Sequence, residues 1–145
     1  MKYKIIGLIL VATLSGCATS EKTQRVDNSG FSILPGTKIF AEAKIAGDGS
    51  IDLVKVSLIK NPDITLTFNL TKMDSGMMLS VKNPLDKTIK YHLNMIDFNG
   101  KAHNTSSCPV RAGLSVFETW PHAIPEIIVT NIHLALKGEK GMCIY

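Results

Sequence analysis

The sequence predicts an all-β protein built as an antiparallel β-sandwich, with a small closed β-barrel as the alternative. Two segments, 64–71 and 88–95, alternate apolar and polar residues with the period of two that is typical of strands. Turn-forming residues divide the rest of the chain into short apolar stretches, and no stretch shows convincing helical periodicity. Short strands of this kind, joined by frequent turns, favour two packed antiparallel sheets.

The two alternating segments predict half-buried strands with one apolar face each. Segment 64–71 presents four apolar side chains on one face: Ile64, Leu66, Phe68 and Leu70. Segment 88–95 presents four more, Ile89, Tyr91, Leu93 and Met95, and turns His92 to the opposite face.

Five weaker segments complete a prediction of about seven to eight strands. In chain order they are 38–45, 51–59, 77–82, 114–119 and 126–136. Turn signals separate them at 47–49, 61–63, 74–76, 83–86 and 99–100.

The first 17 residues have the layout of a secretory signal peptide: a cationic start, an apolar run over 5–14 and small residues before Cys17. The apolar run is far shorter than the roughly 20 residues that cross a bilayer. The motif Leu14-Ser15-Gly16-Cys17 resembles the lipobox of bacterial lipoproteins. An ordinary signal peptide with a chance cysteine is the alternative.

The lipobox resemblance implies that residues 1–16 are removed and that Cys17 carries the lipid that attaches the protein to the membrane. Ala18 follows instead of the aspartate that resembles an inner-membrane retention signal, so we expect the outer membrane, with the protein facing the periplasm. Residues 17–30 are polar and predict a flexible tether, and 31–145 predict a single sandwich domain.

The charge balance argues against nucleic-acid binding. The chain has 16 Lys and Arg against 12 Asp and Glu, and without Lys2 and Lys4 the excess falls to about +2. No basic patch with interleaved aromatic residues remains, which is what a nucleic-acid surface requires.

The compartment also bears on the cysteines. With Cys17 assigned to lipid, Cys108 and Cys143 remain as an even pair in an oxidising environment, and we expect a disulfide between them. The alternative, a redox or metal-binding pair, lacks a CxxC spacing.

Residues 79–84 leading into 89–93 resemble the loop pattern of immunoglobulin-like sandwiches. A true immunoglobulin domain packs a strand Trp against a disulfide, and Cys108, Trp120 and Cys143 occur in that order. The second interval is too short, however, and Pro121 would disrupt a central strand. The sequence therefore predicts an immunoglobulin-like architecture in general terms, with undetermined topology.

The candidate partner-binding residues are Glu118, Trp120 and His122, in the proline-framed segment 118–125. An aromatic residue on a stiff loop loses little entropy on binding and makes a good hot spot. The alternative is a Trp that closes one end of the core, with the prolines shaping a connection between strands.

Catalytic, metal and cofactor sites have little support. Among the histidines and methionines, His103, His122, His133, Met73, Met77 and Met78 invite a copper hypothesis, but no spacing matches a ligand set. No nucleophile elbow, zinc motif or phosphate loop is present, so we expect neither an enzyme nor a cofactor.

Three functions are therefore compatible with the sequence. The first is a non-catalytic interaction module that presents a sheet edge or the Trp120 segment to an envelope protein. The second is an inhibitor of an incoming hydrolase such as lysozyme, and the slight basicity of the mature chain counts against it. The third is a periplasmic ligand or metal carrier, which requires a roomy pocket or clustered His and Met. Partner identity and oligomeric state do not follow from the sequence.

Overall fold

The structure, a computed structural model, describes residues 30–136, 138–139 and 141–143 and the backbone of Arg25–Val26. These residues form ten β-strands and no helix. The strands are β1 (Arg25–Val26), β2 (Phe31–Ile33), β3 (Thr37–Ile45), β4 (Ile51–Val56), β5 (Thr65–Met73), β6 (Gly76–Lys82), β7 (Ile89–Ile96), β8 (Ala102–Thr105), β9 (Ser115–Trp120) and β10 (Glu126–Leu134). Over the described ranges, no helix long and apolar enough to span a membrane occurs.

The strands form two antiparallel sheets that pack face to face, which confirms the predicted β-sandwich. The larger sheet has the order β1-β4-β3-β5-β6-β9 and the smaller sheet the order β2-β10-β7-β8. The sheets do not close on each other, so the alternative of a small barrel is wrong.

The two best-patterned segments became β5 and β7. Leu66, Phe68 and Leu70 are fully buried, whereas Ile64 lies just before β5 and is exposed. In β7, His92 faces solvent as predicted, and Met95 is only half-buried because it lies towards the hairpin end.

The five weaker segments are also strands, with small changes in length. The prediction for 51–59 was too long, because β4 ends at Val56, and that for 126–136 extended two residues beyond β10. β2 and β8 were not predicted, because they have only three and four residues and therefore too few positions to show a period.

The core lies between the inner faces of the two sheets. Phe31 of β2 meets Phe68 of β5 across this space in an edge-to-face contact, with ring centroids 4.9 Å apart. The fully buried side chains with the largest volumes come from both sheets: Tyr91, Phe68, Ile33, Leu66, Leu70 and Leu79.

Three connections carry the chain between the sheets after β6: residues 83–88, 106–114 and 121–125. The buried side chain of Asn83 joins the first two, because its Nδ2 donates to the carbonyl oxygens of Lys87 and Val110 at 2.8 and 2.9 Å. Its Oδ1 accepts from the N–H of Leu85, as expected for an Asx turn at the predicted 83–86 turn.

The predicted disulfide between Cys108 and Cys143 is confirmed. It joins the 106–114 connection to the C-terminal end of the described chain and closes a separation of 35 residues. The C-terminal segment that follows β10 is thereby held against the start of β7, where the Ala135 N–H also donates to the Thr88 carbonyl at 2.9 Å.

The segment predicted as a tether, 17–30, lies largely outside the described residues, as do the signal peptide and Cys17. Within it, Arg25–Val26 pair antiparallel with Val54 and Leu53 of β4 and thereby extend the larger sheet. These two residues are therefore part of the sandwich, unlike the flexible tether that composition predicted.

Candidate functional site

The candidate site is the free edge of the larger sheet, formed by β9. This strand pairs on one side with β6, from Ser115 opposite Lys82 to Trp120 opposite Met77. None of the described strands pairs with its other side. Pro121 follows directly and ends the strand, as a residue without an N–H does at a sheet edge.

One backbone hydrogen bond shows which residues of β9 point their N–H and C=O groups towards the free edge. The N–H of Asn83 donates to the Leu114 carbonyl, the residue directly opposite, at 2.9 Å. In an antiparallel pair, residues bonded to the partner alternate with residues whose N–H and C=O point away. Ser115, Phe117 and Thr119 therefore present their backbone groups to the free edge.

The same three residues also carry exposed side chains. Phe117 is 63% exposed, and Leu114, immediately before the strand, is 54% exposed. Large apolar side chains beside unpaired backbone groups are what an added strand would contact. At six residues, β9 is longer than the other described edge strands, β1, β2 and β8.

The inner face of β9 is anchored by polar contacts. The carboxylate of Glu118, which is only 8% exposed, accepts a hydrogen bond from the Cys108 N–H at 2.7 Å. The Trp120 indole N–H donates to the Thr105 hydroxyl at 2.9 Å, which joins β9 to the end of β8 in the other sheet. These contacts tie the edge strand to the 106–114 connection and to the other sheet.

A buried tyrosine completes this inner cluster. The backbone carbonyl of Tyr91 accepts from the Ser107 hydroxyl at 2.7 Å, but its own phenol oxygen is buried without a hydrogen-bond partner in the described part of the chain. Burial, with a smaller contribution from the charge of Glu118, raises the pKa of the Tyr91 phenol well above its ordinary value.

The structure does not place the three predicted contact residues on one exposed loop. The expectation of one rigid loop over 118–125 is wrong, because Glu118 and Trp120 lie in β9 and only 121–125 form the connection. Trp120 is 7% exposed and packs in the core, whereas His122 is exposed. Partner contact through these three residues stays a prediction.

The sequence suggested a sheet edge as a binding surface, but it singled out neither Phe117 nor β9 as the edge strand. The alternation over 115–120 was a usable signal, since it places Phe117 on the face opposite Trp120. The pairing partner of β9, and hence its edge position, depends on residues far away in the chain.

Other surfaces give weaker sites. A cavity of about 260 Å³ lies between β4 and β10, away from β9, and its lining includes the apolar Phe31, Ile51, Leu53 and Ile132 and the polar Asn131 and His133. Ligand pockets usually exceed this volume. No three His, Cys, Asp or Glu side chains converge anywhere in the described ranges, and the Nε2 atom of His103 instead lies 2.9 Å from the Oδ2 atom of Asp97.

Comparison of the chain with protein-family models, curated proteins and solved structures finds no match.

Proposed function

We propose that this chain is a lipid-anchored cell-envelope interaction module that captures an extended segment of a partner protein on the free edge of β9. The observation that carries the proposal is the combination on one strand of exposed backbone groups and the exposed Phe117 side chain. β-strand addition uses main-chain hydrogen bonds for affinity and side-chain contacts for specificity.

The rigid inner face of β9 supports this mode of binding. Glu118 and Trp120 are held by Cys108 and Thr105, so the strand loses little freedom when a partner pairs with it. In this proposal Glu118 and Trp120 position the edge, and Phe117 makes the contact.

Edge strands in natural proteins are often protected, and a charged residue that points inward is one such device. Glu118 carries an inward-pointing charge of this kind. Its carboxylate accepts a hydrogen bond from the Cys108 N–H, and β9 keeps its regular pairing with β6. The edge therefore remains regular over six residues and can accept another strand.

Membrane attachment through Cys17 belongs to the same proposal and rests on the lipobox resemblance. Cys17→Ser is expected to release the protein from membranes, and persistence in the membrane fraction after a high-salt wash would contradict lipidation.

Site-specific crosslinking in cells tests the edge. A photoreactive residue at Phe117 should yield one dominant adduct with an envelope protein. The same residue at Leu58, which is 66% exposed in the loop after β4, serves as the control and should yield none. Equal products from both positions, or none from Phe117, would contradict a binding edge at β9.

A further inference from the structure

A second feature, independent of β9, is a basic cleft beside the disulfide. It has a volume of about 340 Å³ and lies among the 83–88 connection, the start of β7, the 106–114 connection and the segment after β10. The disulfide and the Ala135–Thr88 backbone bond hold two of its walls together.

The cleft contains a buried lysine that is paired with a carboxylate of the same chain. Lys90 is 7% exposed, and its Nζ lies 2.5 Å from Oε1 of Glu139. The other oxygen of this carboxylate accepts from the Leu136 N–H at 2.9 Å. The hydrogen bond from Lys90 and, less strongly, that from Leu136 lower the pKa of Glu139.

Two further cations line the same cleft. Lys87 and Arg111 are exposed, and in the described part of the chain neither forms an ion pair with a carboxylate. With Lys90 balanced by Glu139, the cleft keeps an excess of two positive charges. A charge of this size concentrated in a concave site attracts a multiply charged anion.

We propose that this cleft binds a phosphate group, contacted by Arg111 and Lys87 above the Lys90–Glu139 pair. The planar guanidinium of arginine matches the geometry of phosphate oxygens, and lysine adds a mobile point charge. Free phosphate in its dianionic form balances both excess charges, and the phosphodiester of a phospholipid headgroup, which carries one negative charge, balances one of them. The group could belong to free phosphate or to a phospholipid headgroup, and the titration below separates the two.

The test is an NMR titration of the mature protein with inorganic phosphate, at neutral pH and at an ionic strength held constant with chloride. Saturable shifts are expected at the amides of Lys87, Arg111 and Leu136. Lys87→Ala and Arg111→Ala should each weaken binding by roughly tenfold or more, as expected for loss of a charged hydrogen bond.

One further variant controls for non-specific effects, and another tests the role of the carboxylate inside the cleft. Lys44→Ala removes an exposed lysine from β3, outside the cleft, and should leave the affinity unchanged. Glu139→Gln removes the internal negative charge and should tighten phosphate binding several-fold. A merely structural role for Glu139 predicts no such gain.

A parallel titration with short-chain phosphatidylglycerol, below its micelle concentration, identifies the source of the phosphate. Shifts with both ligands indicate a headgroup site, and shifts with inorganic phosphate alone indicate a site for the free ion. Three results would overturn the proposal: no saturable shift with either ligand, unchanged affinity in Arg111→Ala, or an equal loss in Lys44→Ala.

Discussion

The carboxylate of Glu118 accepts a hydrogen bond from the backbone N–H of Cys108 at 2.7 Å and so ties the inner face of β9 to the disulfide-bonded connection. Glu118→Ala leaves this N–H without its acceptor, which should cost about 1 to 3 kcal/mol of unfolding free energy. Glu118→Gln keeps an acceptor oxygen and should cost less. Urea unfolding measures both, and equal losses would show that the negative charge, not the acceptor oxygen, matters.

Trp120 is expected to stabilise the fold as a core residue. Trp120→Ala removes a large buried side chain and its bond to Thr105, which should cost about 3 to 5 kcal/mol and lower the melting temperature by roughly 10 °C or more. Thr119→Ala, at the exposed neighbour, is the control for calorimetry. A small loss in Trp120→Ala would instead favour an accessible hot spot.

The buried hydroxyl group of Tyr91 is expected to destabilise the folded state. Because its oxygen is buried without a partner among the described residues, Tyr91→Phe should leave the unfolding free energy unchanged or raise it by about 1 kcal/mol. The folded parent protein should lose stability as the pH rises above the ordinary tyrosine pKa, because the phenol ionises in the unfolded chain before it ionises in the core. Tyr91→Phe should lack this loss. A destabilisation of more than about 1 kcal/mol would reveal a hydrogen bond to the phenol.

The ion pair between Lys90 and Glu139 predicts a pH dependence. The folded pKa of Glu139 is lowered, so its contribution is fully present above the ordinary carboxyl pKa of about 4.3 and is lost as the pH falls through the lowered value. Melting temperatures measured across this acidic range should therefore fall less steeply in Glu139→Gln. Identical slopes in the parent protein and the variant would contradict this assignment.

Period-two patterning was enough to predict the fold class, because the inner faces of β5 and β7 are almost uninterrupted apolar rows. Lys90 departs from this pattern, because it lies on the opposite face of β7, with His92, and is nevertheless buried. It pairs there with Glu139, a long-range partner 49 residues away that no local pattern reveals.

The site was harder to predict than the fold class, because a free edge depends on the order of the strands in the sheet. Residues 118–125 looked like a loop because of their two prolines, yet Glu118 and Trp120 extend β9 up to Pro121. The edge position of β9 arises from its pairing with β6, more than 30 residues earlier in the chain. Sequence alternation could indicate which side chains face outward, but not which strand lacks a neighbour.

The central claim, that a partner pairs with the free edge of β9, is tested most directly by removing one edge donor. Thr119→Pro deletes an N–H that points away from β6 and so spares the existing ladder, whereas Thr119→Val keeps this N–H. The measurement is the yield of the in-cell crosslink from position 117 in each background, with the melting temperature of each variant as a check of folding. The proposal predicts loss of the crosslink in Thr119→Pro and its retention in Thr119→Val. An undiminished crosslink in a folded Thr119→Pro protein would contradict strand addition at β9.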